Sequence, residues 1–149
     1  MIKIEKSNSR NEEFIKLIEG LDTNLRNKNG SGQNFYDKYN VLSDIDTVLI
    51  MKKDNKAIAC GCFKEYDDVT VEIKRMYVVP SQRGKGYSRE ILKSLETWAV
   101  ELGYKEAILE TGRNQLEAIG LYKKSGYSII ENYGQYFGVK HSICFRKKL

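Results

Sequence analysis

The chain has 149 residues, one domain at roughly 150 residues per domain. Apolar residues make up 41% and charged residues 30%, with ten Tyr and five Phe, a balance that excludes intrinsic disorder; no run approaches the about 18 uninterrupted apolar residues of a transmembrane helix. The net charge of +5 leans toward an anionic partner and is also ordinary for a soluble domain. The opening MIKIEKSNSR has no apolar core of signal-peptide length, and Cys60, Cys62 and Cys144 are odd in number. Reduced thiols and a cytoplasmic location are therefore expected.

Residues 2–6 alternate apolar and polar, as a short strand does. Phe14, Leu17, Ile18, Leu21 and Leu25 follow at helical spacing and predict a first helix with one apolar stripe. Residues 27–34 are loop-like, and Phe35, Tyr36 and Tyr39 predict a short helix or turn. Residues 48–51 and 57–63 read as strands joined at Asp54-Asn55, a tight hairpin signal. Residues 69–79 read as a long third strand. Leu92, Leu95, Trp98, Ala99 and Leu102 mark a strong amphipathic helix that Gly103 closes. A strand over 107–111 precedes a last helix carrying Ala118, Leu121 and Tyr122, stopped near Gly126. Ile129-Ile130 and residues 142–145 supply the final strands. The order is neither strict βαβ alternation nor all-β. It predicts an α/β (α+β) fold over 1–149: a mixed, mostly antiparallel twisted sheet of six to seven strands flanked by about four helices. A parallel pair is expected where the 89–103 helix crosses between strands.

One segment carries chemistry. At Val78-Val79-Pro80-Ser81-Gln82-Arg83-Gly84-Lys85-Gly86-Tyr87-Ser88-Arg89 a strand ends, a glycine-rich turn follows and a helix begins. Backbone N–H groups of such a turn converge on one concavity, and the helix N-terminus adds about half a positive charge. That is a site for phosphate or pyrophosphate. It is neither G-x-G-x-x-G, since residue 89 is Arg89, nor a P-loop, since Gly86 follows Lys85. In the third strand, Val69, Val71 and Ile73 share one parity and Met76 and Val78 the other. A change of parity within a strand is the mark of a β-bulge, expected near 74–76.

Arg83-Gly84-Lys85-Gly86-Tyr87-Ser88 resembles the R-G-x-G-x-[GA] signature of the GNAT superfamily of N-acetyltransferases. Residues 72–78 are similar to that family's preceding strand. Leu109-Glu110-Thr111-Gly112, Gln115, Glu117-Ala118-Ile119, Leu121-Tyr122 and Gly126-Tyr127 resemble its next strand and helix. Ser88 departs from the usual Gly or Ala, and Gln115 from a frequent Asn. The resemblance implies acetyl-CoA as donor and a primary amine as acceptor, without a metal. It places pyrophosphate on the turn formed by Arg83, Gly84, Lys85, Gly86, Tyr87 and Ser88, with Gln115 a further contact. The pantetheine arm lies along Met76, Tyr77 and Val78, where GNAT sheets splay.

Acyl transfer to an amine requires deprotonation of the ammonium, a donor to the developing oxyanion and protonation of the leaving thiolate. Tyr122, which also borders the donor, is the expected general acid, with helix packing as the alternative. Glu72 is the candidate base, through water, with Glu110 the runner-up and a solvated strand carboxylate the bland reading. Tyr36, Tyr39 and Tyr136 are candidates for the acceptor pocket, the last in an aromatic-rich loop with Tyr133 and Phe137; the acids of the 22–46 stretch, Asp22 among them, would attract a cationic amine but are nearly balanced by Arg26, Lys28 and Lys38. The lone His141 reads as structural. Ligand-spaced metal residues are absent. Three competing readings stay open: a non-catalytic acyl-CoA sensor, a nucleic-acid-binding domain (disfavoured because basic and acidic residues interleave), and a thiol enzyme using Cys60 or Cys62 (disfavoured because Cys60-Gly-Cys62 is no C-x-x-C motif and reads first as small buried residues on a strand). The expected state is a monomer or homodimer, with no membrane partner.

Overall fold

The structure is a computed structural model that describes residues 1–29 (backbone only for 24–29) and 44–149. The elements run β1 (Ile2–Ser7), α1 (Glu12–Asn29), β2 (Val48–Lys53), β3 (Lys56–Asp67), β4 (Thr70–Val78), α2 (Tyr87–Glu101), β5 (Glu106–Gly112), α3 (Leu116–Lys124), β6 (Ser128–Ile130) and β7 (Ser142–Lys148). Three α-helices are present among the described residues, against about four expected. The short helix anticipated at Phe35, Tyr36 and Tyr39 lies outside the described residues, as do the last residues of the 27–34 loop. None of the described helices is long and apolar enough to cross a membrane.

The strands form one sheet in the order β1-β2-β3-β4-β5-β7-β6. β4 and β5 are its parallel pair, the crossover between them running through α2. Asp54 and Asn55 turn the β2–β3 hairpin at φ 52° and 67°, both left-handed as a two-residue turn of the I′ kind requires. On one face α1 packs Phe14, Leu17 and Ile18 against Val48, Ile50, Cys60 and Cys62. On the other, Ile91, Leu92, Leu95 and Ala99 of α2 cover Leu49, Met51, Phe63, Val71, Ile73 and Leu109.

Local signals fix the helix ends. The Asn11 side chain accepts from the backbone N–H of Glu13 at 2.8 Å and of Phe14 at 3.3 Å, an N-cap. At the end of α2, Gly103 donates to Val100 O and Tyr104 to Ala99 O, a Schellman closure. The same pattern closes α3, where Gly126 donates to Lys123 O and Tyr127 to Tyr122 O. It seats the Tyr127 ring 5.9 Å from the Tyr122 ring, so the turn that stops the helix also packs against Tyr122.

The expected bulge is present. Cys62 pairs with Lys74 and Cys60 with Tyr77, leaving Arg75 and Met76 opposite the single residue Gly61. Arg75 takes φ 58°, a left-handed conformation that costs an arginine energy. A Cβ on Gly61 would lie 2.7 Å from Met76 Sδ and 2.9 Å from Ile91 and Leu95. Only glycine leaves room for the extra residue.

Candidate active site

β4 pairs with β5 only from Thr70 to Glu72, opposite Glu106 to Ile108, yet β4 continues to Val78. Beyond Glu72 the two strands part, and a cleft opens between them. The bulge lies within this stretch, so it bends β4 where the ladder to β5 ends. The cleft has two chambers that meet at Leu21, Met76, Gln115, Ala118 and Tyr122.

The outer chamber is a groove along Met76, Tyr77 and Val78, continuing over Arg83, Gly84, Gly86, Tyr87 and Ser88. Gly84 and Gly86 sit at φ 78° and 82°, and no atom lies within 4 Å of where a Cβ would stand on either. The turn is therefore glycine for its backbone conformation and for open approach from outside. Arg83 is not free to serve as a loose charge: its Nε donates to Val78 O at 2.9 Å and its guanidinium lies over the Tyr77 ring. It ties the turn to the end of β4. Lys85 does not line the groove, and its ammonium donates to Gln82 Oε1 on the exposed rim. Tyr77 turns its ring the other way, toward α1, where a Cβ on Gly20 would meet its hydroxyl at 2.8 Å. Gln115 lines the groove with a buried Nε2 that has no hydrogen-bond partner among the described residues. An orphaned donor of this kind points to an acceptor that a ligand supplies.

The inner chamber gathers Glu72, Lys74, Arg75, Glu110, Tyr122 and Tyr136. Glu72 is buried on β4, and its Oε2 accepts from Tyr133 Oη at 2.6 Å. Its Oε1 lies 3.7 Å from Lys74 Nζ and 3.8 Å from Lys64 Nζ. Burial lowers the Lys74 pKa, with the Glu72 charge opposing that shift. Glu110 sits one strand over, two residues beyond the partner of Glu72 and so on the same face. Its Oε2 accepts one hydrogen bond, from Ser142 Oγ at 2.7 Å. Burial raises its pKa to about 7 from the ordinary 4.5, against the opposing effect of that hydrogen bond. Tyr122 is buried, and both burial and the Glu110 charge raise its pKa, so its phenol stays protonated at neutral pH.

The structure thus brings Glu72, Glu110, Tyr122, Gln115 and Tyr136 to one cavity. Tyr36 and Tyr39 lie outside the described residues. Partners and burial decide against three side alternatives that the sequence left open. Asp22 does not wait for a cationic acceptor, because Arg75 Nη1 reaches its Oδ1 at 2.6 Å. Asp44 and Asp46 are taken by Arg10 at 3.3 and 3.7 Å. Cys60 and Cys62 are poor nucleophiles: burial raises both thiols, Cys62 to about 12, and their Sγ atoms face the Arg75 and Lys74 carbonyls at the bulge. Lys74 and Ser142 join the site although nothing local in the sequence marks them. Tyr133, from the aromatic-rich loop offered as a wall of the acceptor pocket, reaches the buried carboxylate Glu72.

The profile of the acetyltransferase (GNAT) family matches residues 13–127. The chain belongs to that family. It is 28% identical over 156 residues to the IAA acetyltransferase of Azospirillum brasilense, across 99% of this chain and 98% of that one. A Klebsiella pneumoniae structure assigned as an acyl-CoA N-acyltransferase superposes with a TM-score of 0.80 at 28% identity, covering 100% of this chain and 98% of the other. A GNAT family acetyltransferase from Elizabethkingia anophelis, with acetyl-CoA bound, gives 0.72 at 20% identity over 99% and 98%. The last likeness speaks to the acetyltransferase fold alone.

Proposed function

We propose that this acetyltransferase moves the acetyl group of acetyl-CoA to a primary amine by direct attack, with Glu110 as base and Tyr122 as acid. One observation carries the reading: Tyr122 and Gln115 belong at once to a groove of open backbone and glycine turn and to a buried carboxylate chamber. An extended donor with amide groups in its arm can run along the β4 edge that β5 leaves unpaired, its anionic end on the turn. The acetyl-CoA held by the Elizabethkingia structure supports this choice of donor.

Glu110 is favoured over Glu72 because its carboxylate is less committed. Glu72 already accepts a short hydrogen bond and faces two ammonium groups. Glu110 has one hydroxyl partner and a pKa near neutrality, where a base is most effective. It takes a proton from the acceptor ammonium. As the amine nitrogen bonds to the acetyl carbon and the carbon–sulfur bond breaks, Tyr122 gives its phenolic proton to the departing thiolate. Burial that raises the phenol raises a thiolate in the same chamber too.

The test is a thermal shift with acetyl-CoA, followed by thiol release across an amine panel. A donor at 100 times its Kd stabilises the fold by about 2.7 kcal/mol, an upshift of several degrees. A shift with thiol release on an amine supports the transferase. A shift with no release on any amine favours the acyl-CoA sensor. No shift at millimolar acetyl-CoA removes both.

A further inference from the structure

The inner chamber holds a cation that the transfer chemistry above does not use. Lys74 lies in its wall with a side chain only 7% exposed. Among the described residues its ammonium has one neighbour of opposite charge, Glu72 Oε1 at 3.7 Å, beyond hydrogen-bond reach. That carboxylate is already shared: Lys64 Nζ stands 3.8 Å from the same oxygen, and Tyr133 Oη donates to the other. A buried ammonium is thus left without a hydrogen-bond acceptor among the described residues, an arrangement that costs free energy unless a ligand supplies one. The neighbouring cation differs, since Arg75 Nη1 is held by Asp22 at 2.6 Å.

Lys74 stands across the split from Glu110. Glu72 and Ile108 make the last pair between β4 and β5, and Lys74 and Glu110 each lie two residues further on, which puts both side chains on one face. Among the described residues no ion pair joins them, although the Lys74 charge is near enough to favour an ionised Glu110. The parting strands therefore hold a cation and a carboxylate on opposite sides of the space an acceptor must enter. A molecule that carries an ammonium and a carboxylate complements both, its carboxylate taking charge-assisted hydrogen bonds from Lys74. A simple amine answers Glu110 and leaves Lys74 unmatched. Because the two groups stand just past the last paired rung, the bridge between them is short, as in an α-amino acid.

We infer that the acceptor is an α-amino acid, and that Lys74 selects it by holding its carboxylate. The inference rests on the transferase reading above. Glu110 takes the proton of the α-ammonium, the freed nitrogen bonds to the acetyl carbon, and the thiolate leaves with the Tyr122 proton, so the product is an N-acetylamino acid.

The experiment measures thiol release from acetyl-CoA with α-amino acids of small, apolar, acidic and basic side chain, each beside its carboxamide, which keeps the size and removes the charge. For the preferred side chain the wild type is expected to show kcat/KM at least tenfold higher for the acid than for the amide, the effect of a charge-assisted hydrogen bond. In Lys74→Met, which keeps the length of the side chain, the acid-to-amide ratio should fall to within about twofold. The ratio cancels any change in Glu110, which the Lys74 charge also influences. Should a ligand-free melt show that the variant does not fold, the wild-type ratio decides alone. Amides used as well as acids, or the full preference retained in a folded variant, overturns the inference and leaves the transferase reading standing. Thiol release with no amine of any kind overturns the transferase reading itself.

Discussion

Along the outer groove the groups open to a donor belong mostly to the main chain: the unpaired edge of β4 and the amides of a turn held by Gly84 and Gly86, with the Gln115 side chain beside them. In the inner chamber they are side chains from distant parts of the chain. Tyr133 reaches Glu72 across 61 residues, Arg75 reaches Asp22 across 53, and Ser142 reaches Glu110 across 32. A main-chain site depends on conformation and tolerates many side chains; a side-chain site depends on tertiary pairings and is altered by one substitution. Changes in the groove should therefore act on donor affinity, and changes in the chamber on turnover and its pH dependence.

The largest effect is expected at Glu110. Glu110→Gln should lower kcat about 100-fold, the lower end of the usual range for a positioned base, while the KM for acetyl-CoA stays within about twofold. Glu72→Gln in parallel decides between the two carboxylates: a larger loss there would transfer the role to Glu72. The same substitution has a stability signature. The folded carboxyl holds its proton up to about pH 7, whereas the unfolded one releases it near 4.5. Between those values the folded state carries the extra proton, so wild-type stability falls as pH rises across the window, by up to about 3 kcal/mol. Glu110→Gln should remove that slope and melt above wild type at pH 8. Thermal melts from pH 4 to 8 measure it.

Tyr122 stands where groove and chamber meet and tests whether they are separable. Tyr122→Phe keeps the ring against Tyr127 and Phe145 and removes only the hydroxyl. Turnover should fall at least tenfold with acetyl-CoA affinity nearly intact. Unchanged turnover would leave Tyr122 a packing residue; a matching loss of donor affinity would make it a groove residue.

The same contrast explains what was legible in the sequence. The glycine turn, the parallel crossover and the bulge all leave local marks: Arg83-Gly84-Lys85-Gly86, a helix between two strands, and a shift of parity after Ile73. The helix ends were readable at Gly103 and Gly126 for the same reason. The partners of Glu72 and Glu110 were not, because an ion pair or hydrogen bond across dozens of residues has no signature in a single chain. Arg83 and Asp22 make the same point from the other side. The sequence marks them as charges near the site, and only the fold shows that both are tied to the protein's own groups. Gly61 and Gly20 were silent because their constraint is space for Met76 and Tyr77, set by packing between elements.

The smallest effect is the one that only a pH profile resolves. The Ser142 hydroxyl donates to Glu110 Oε2, an interaction that favours the ionised carboxylate and opposes the burial that raises it. Ser142→Ala removes that donor and should push Glu110 further up. A net hydrogen bond of about 1 kcal/mol corresponds to roughly 0.7 of a pH unit. The rising limb of kcat/KM, expected near pH 7 in the wild type, should move to higher pH by that amount. Rates near neutrality then fall a few-fold, while those above pH 9 barely change. Ser142→Thr, which keeps the hydroxyl, should restore the wild-type limb. A merely structural serine would lower the rate equally at every pH and leave the limb in place, and that result would also remove Glu110 as the group that titrates.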